Sequence, residues 1–159
     1  MLHSIKRFAI TFLMNLHTHY PRSLKVQLGP YVHLPRIIDK CRAKLADRLG
    51  EYLYPCPLDI CFLEFTGISS ERFLDAVRTR TDQAMLEWLT QQATVRTHND
   101  ILEWNTMMLS RGPDSEEKWS YFLEVRNSIN PNRQDITTWS DLLDIDEDRE
   151  VPLRKTPPQ

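Results

Sequence analysis

This sequence predicts an all-α fold: a compact single-domain bundle of about six to seven short helices behind an irregular, extended N-terminal segment. Three observations carry the expectation. Apolar residues recur at helical spacing in one segment after another, and no segment sustains the period-two alternation of a half-buried strand. Four glycines in 159 residues are too few for the glycine turns of a β-sandwich, a Rossmann fold or a P-loop. Most of the apolar stripes are preceded by serine, threonine or aspartate, the residues that satisfy free amides at a helix start. The length suits one domain over residues 17–149, with an N-terminal extension over 1–16 and a mobile tail over 150–159, where three prolines interrupt any periodicity.

The elements follow in order. Leu2, Ile5, Phe8, Ala9, Phe12 and Leu13 fit an amphipathic extension rather than a signal peptide, because no small-residue cleavage site follows before His17-Thr18-His19. Met14 offers an alternative start, with residues 1–13 then outside the native chain. Residues 17–34 read as extended, since Tyr20 and Leu34 precede prolines and Gly29-Pro30 signals a turn. Pro35 suits the first position of a helix whose stripe is Ile37, Ile38, Cys41, Leu45 and Leu49. Arg36, Lys40, Lys44 and Asp47 should face away from that stripe, and Gly50 should cap it in a left-handed conformation.

Pro57 opens a second helix, apolar almost all round and therefore central, which Gly67 stops. Ser69 or Ser70 caps a third bearing Phe73, Leu74 and Val77, and Thr81 or Asp82 starts a fourth bearing Met85, Leu86 and Leu89. Thr97 with Asp100 resembles a capping box for a fifth. Leu86-Glu87-Trp88 recurs as Leu102-Glu103-Trp104, a spacing too short for a solenoid unit, so these are two similar helices and not an array. After Gly112-Pro113, Asp114 or Ser115 caps a sixth helix, and Thr138 with Asp141 caps a short last one.

Charge and cysteine usage narrow the function. The net charge of −2 gives no global reason to expect nucleic acid. Residues 22–48 hold seven Lys/Arg against two Asp, while residues 135–150 hold seven Asp/Glu against one Arg. Such stretches either attract each other within the fold, lie on solvated faces, or form a basic binding face shielded by an acidic tail. Three cysteines with no C-x-x-C pair fit free thiols in a reducing cytoplasm. No run approaches the roughly 18 apolar residues of a membrane helix, so no membrane association is expected.

The polar residues with chemical range gather in residues 20–59. Cys56 falls at the N-cap of the Pro57 helix, where free amides favour negative charge, which suggests a nucleophile or a metal-binding thiol. Asp59, three residues on, is placed to bond back to the Cys56 amide, and a thiol simply packed between two prolines is the alternative. His33 suits a general base oriented by Asp39 or Asp59. Asp39 also lies between Arg36 and Arg42 at three-residue offsets, as in an ordinary ion-pair ladder. His17 and His19 lack the i, i+4 helical spacing of a metal pair, and no metal site is expected. No cofactor is expected either, since G-x-S-x-G, P-loop and dinucleotide fingerprints are missing. The basic residues of 22–48, with Tyr20 and Tyr31 among them, fit a small anion at Arg22 and Arg36 better than a nucleic acid.

Several ordered motifs resemble an uncharacterised bacterial family known only as a domain of unknown function. They are Tyr20-Pro21-Arg22-Ser23, Tyr31-Val32-His33-Leu34-Pro35-Arg36, Asp39-Lys40, Gly50-Glu51-Tyr52 with Tyr54, and Cys56-Pro57-Leu58-Asp59. Leu109-Ser110-Arg111-Gly112-Pro113 and Asp135-Ile136-Thr137-Thr138-Trp139 with Asp141-Leu142-Leu143-Asp144 continue the likeness, which spans about residues 17–150. Pro30 stands where the pattern suggests a second glycine. The resemblance implies a compact cytoplasmic bacterial protein and brings no activity and no catalytic residues. The sequence therefore supports two readings. One is a pocket for a small polar or anionic ligand, with His33, Asp39, Cys56 and Asp59 as candidate acid/base or thiol residues and Tyr20, Arg22, Tyr31, Arg36 and Tyr52 as candidate ligand contacts. The other is a helical interaction or regulatory adaptor without catalysis. Whether the chain is an enzyme, and its oligomeric state, stay open at this level.

Overall fold

The computed structural model describes residues 14–155; residues 1–13 of the extension expected over 1–16, and residues 156–159 of the tail expected over 150–159, lie outside them. Among the described residues there are seven helices: α1 (Leu34–Leu45), α2 (Pro57–Thr66), α3 (Ser70–Val77), α4 (Asp82–Gln92), α5 (His98–Ser110), α6 (Glu116–Ile129) and α7 (Trp139–Asp146). The protein is mostly helical but not purely so, because β1 (Gln27–Leu28) and β2 (Tyr31–Val32) pair antiparallel ahead of α1. Gly29, at φ +56°, makes that turn, and a Cβ there would stand 2.7 Å from Leu86 Cδ1.

The capping residues act where the sequence places them. Ser69, Thr81, Thr97, Ser115 and Thr138 each accept a backbone N–H three residues on. Gly67, at φ +70°, ends α2 with its N–H bonded to the carbonyl of Glu64. The main core lies among α1–α5, centred on Phe62, whose ring meets Tyr31, Phe73 and Trp104 edge-on at 5.9, 6.1 and 5.6 Å. Phe122, Ile136 and Leu142 form a smaller cluster under α6 and α7.

Helix α1 departs from expectation in two ways. It ends at Leu45, because Asp47 takes a left-handed conformation (φ 54°) and breaks the hydrogen-bond ladder. Gly50 is left-handed too, but what it provides is close approach: a Cβ there would stand 2.7 Å from the Leu16 carbonyl oxygen. The second difference is burial. Arg36, Asp39 and Lys40, expected on a solvated face or an ion-pair ladder, are 3, 1 and 2% exposed. Ion partners arriving from segments distant in sequence make that burial tolerable. Helix α2 is central on one side only, since Ile60 is 42% exposed. At the C-terminal end Val151 is buried, and Arg154 donates to Asp141 and, through its backbone N–H, to Asp135. No helix among the described residues is long and apolar enough to cross a membrane.

Candidate functional site

Two buried carboxylates organise the polar interior, and α1 supplies a cation to each. Arg36 and Lys40 are one helical turn apart and so share a face. Lys40 meets Asp59, the third residue of α2. Its Nζ donates to Asp59 Oδ2 at 2.5 Å and to Cys56 Sγ at 3.1 Å. The Cys56 N–H donates to the same carboxylate oxygen at 2.9 Å, closing the reciprocal cap at the start of α2. His33, the N-cap of α1, bonds Asp59 Oδ1 through Nε2 at 2.8 Å.

The electrostatics of this centre follow from burial. His33 and Asp59 are wholly buried. Burial pushes the Asp59 carboxyl up, yet His33 and Lys40 hold it well below the usual carboxylate range. Burial lowers the His33 imidazole, and this outweighs the pull of Asp59. The neutral ring therefore carries its proton on Nε2, where it donates to Asp59. Nδ1 is buried without a partner, so a second proton would be an orphaned buried donor. His33 also holds a left-handed backbone (φ 67°), a conformation that costs an ordinary residue roughly 1–2 kcal/mol.

The second carboxylate is Glu147, just after α7. Arg36 binds it in two-point fashion at 2.7 and 2.9 Å, Arg149 Nη1 donates at 2.6 Å, and Tyr52 Oη donates at 2.8 Å. Burial raises the Glu147 carboxyl, and Arg36 with its companions brings it below its ordinary range. Arg22 is saturated similarly. It holds Asp39 through Nε and Nη2 at 2.9 and 2.8 Å and Asp82 through Nη1 at 2.6 Å. The basic and acidic stretches thus attract each other within the fold, with Lys25 joining Asp141 and Asp144 as a further contact.

Beside Glu147 a cleft of about 890 Å³ opens between the N-terminal approach, the loop after α1 and the end of α7. Tyr20, Tyr52 and Tyr121 supply aromatic wall, His17 and His19 supply imidazoles, and Glu51, Asp146 and Glu147 supply acid. Among the described residues no lysine or arginine lines it. Glu147 is neutralised by Arg36 and Arg149 behind it, whereas Glu51 and Asp146 have no ion pair among the described residues. Burial first, then the neighbouring Glu147, Asp148 and Glu51, push the Asp146 carboxyl above its ordinary value.

The sequence-derived candidates separate accordingly. His33, Cys56 and Asp59 come together, joined by Lys40, which sequence reasoning placed on a solvated face. Asp39 lies apart, held by Arg22. Tyr20 and Tyr52 line the cleft, and Arg36 backs it through Glu147. Tyr31 packs in the core against Phe62. Sequence reasoning missed Lys40, Glu147 and Asp146 as site residues. The only local signal was the one-turn spacing of Arg36 and Lys40. Among the described residues no three His, Cys, Asp or Glu side chains are grouped to hold a metal ion.

A family model described as a domain of unknown function (DUF5069) matches residues 18–149, a span that holds Asp59, Glu147 and the cleft lining apart from Leu16 and His17. A comparison with curated proteins finds no match.

Proposed function

Since the chain belongs to this domain-of-unknown-function family (DUF5069), which assigns no chemistry, we propose a function from the residues themselves: a binding protein for a small polar ligand that carries positive charge, such as an organic amine. The single observation that carries this reading is the cleft over Glu147, walled by tyrosines and carboxylates and, among the described residues, by no lysine or arginine. Tyrosine faces attract cations, and Arg36 already lies 5.7 Å from the Tyr52 ring centroid on the inner side. The anion preference expected from Arg22 and Arg36 gives way, because both guanidiniums are occupied by Asp39, Asp82 and Glu147. The His33–Asp59 pair serves order rather than acid/base turnover, since both side chains are sealed from solvent. Three free thiols support a reducing, cytoplasmic setting.

Thermal-shift and calorimetric titration with small amines, carboxylates and phosphates tests the reading. An amine at 100 times its Kd adds about 2.7 kcal/mol, or roughly 5–10 °C for a domain of this size. The double variant Glu51→Gln/Asp146→Asn alters side chains that make no hydrogen bond among the described residues, and it should weaken amine binding at least tenfold. A shift with phosphates or carboxylates alone, or none with any amine, overturns the proposal. A second reading, an interaction module, draws on the exposed Trp119, Tyr121 and Leu123 of α6.

A further inference from the structure

We propose that Cys56 and Lys40 form a redox-sensitive modification site, in which a peroxide oxidises the thiol and the Lys40 amine captures the product as a direct sulfur–nitrogen cross-link. The proposal does not rest on the cleft reading. It stands on a contact between a nucleophile and a thiol that differs from those of the other two cysteines. Cys56 is only half-buried, so a molecule as small as hydrogen peroxide reaches it. Lys40 Nζ lies 3.1 Å from Cys56 Sγ and is 3% exposed, held in place by Asp59. Cys41 is fully buried. Cys61 accepts from Arg111 Nη1 at 2.7 Å, but a guanidinium is a poor nucleophile and provides an internal control.

The steps balance. Sulfur attacks the peroxide, an S–O bond forms, the O–O bond breaks and one oxygen leaves as water. Sulfur is oxidised by two electrons and the peroxide is reduced. A sulfenic acid is electrophilic at sulfur and condenses with nearby nitrogen as well as with thiols. The Lys40 ammonium then releases a proton, with the Asp59 carboxylate as its nearest acceptor on the way to solvent. Nζ attacks sulfur, the S–N bond forms, and the S–O bond breaks with loss of a second water. The sum is thiol, ammonium and peroxide giving sulfenamide, two waters and one proton. The product removes the Lys40 charge from Asp59, so a buried carboxylate loses the cation at its Oδ2. The junction of α1 and α2 therefore loosens on oxidation and recovers on reduction, because a thiol reductant cleaves the S–N bond.

The test uses the full-length folded protein, a modest excess of hydrogen peroxide, and non-reducing peptide mapping by mass spectrometry. The expected result is a peptide joining Lys40 to Cys56, two hydrogens lighter than its parts, a lower Tm, and reversal of both by dithiothreitol. Lys40→Arg keeps the cation beside Asp59 but cannot condense, so its Cys56 should instead be labelled by dimedone as the sulfenic acid. Cys56→Ser should give no cross-link although Cys41 and Cys61 remain. Wild-type Cys56 that stays reduced, or that proceeds to sulfinic acid with Lys40 free, overturns the proposal. So does a disulfide to Cys61, or a link carrying an extra oxygen.

Discussion

Replacing Asp59 by asparagine tests whether the α1–α2 junction is held by charge. The substitution keeps the shape and leaves an amide oxygen for one contact. It removes the negative charge 2.5 Å from a lysine that is almost wholly buried. Breaking a buried ion pair from one side costs about 3–5 kcal/mol, because the surviving charge stays desolvated. The His33 bond at 2.8 Å and the Cys56 cap at 2.9 Å each weaken as well. Against a usual domain stability of roughly 5–15 kcal/mol this is a large fraction, and Tm should fall by on the order of 10 °C. Urea unfolding of Asp59→Asn, Lys40→Met and the double variant separates the causes. In the double variant the uncompensated ammonium is gone, so its cost should be about 2 kcal/mol less than the sum of the singles. Strictly additive losses, or an Asp59→Asn cost under about 1 kcal/mol, would refute an ionic junction.

Three further outcomes follow from the same geometry. His33 is held neutral, with its folded pKa lowered by burial, so the unfolded chain binds the proton first as pH falls through about 6.5. Stability should therefore drop between pH 7.5 and 5.5 from this group, and His33→Gln should flatten that slope in urea titrations at the two pH values. Glu147→Gln leaves Arg36 buried without its counter-charge and should cost about 3 kcal/mol by the same measurement, whereas Tyr52→Phe removes one hydrogen bond and should cost about 1 kcal/mol.

What was legible in the sequence was what the chain decides locally. Thr97 with Asp100, and Cys56 with Asp59, meet across one helical turn, so spacing alone specifies both caps. The left-handed stop at Gly67 is local in the same sense. The pairing of His33 with Asp59 rather than Asp39 was not legible, because Asp39 is claimed by Arg22 from the segment before the hairpin. Nor was the direction of the α1 polar residues. Arg36 finds Glu147 at a separation of 111 residues, and no periodicity carries information at that range. A charged residue on a helix reads as solvated by default, and only the fold reveals that a partner waits inside.

That inversion explains why one helix organises so much of the molecule. The apolar stripe of α1 packs into the core, while Arg36 and Lys40 on another face reach two different acids, Glu147 after α7 and Asp59 in α2. Neither acid tolerates burial without its cation, and neither cation tolerates burial without its acid. Helix α2 and the segment after α7 are therefore each registered against α1 by charge. The Tyr52 hydroxyl is the point where this interior reaches the cleft, since it donates to Glu147 while its ring forms part of the wall. A ligand at the proposed site that drew the Tyr52 hydroxyl away from Glu147 would therefore alter how fully Arg36 is satisfied.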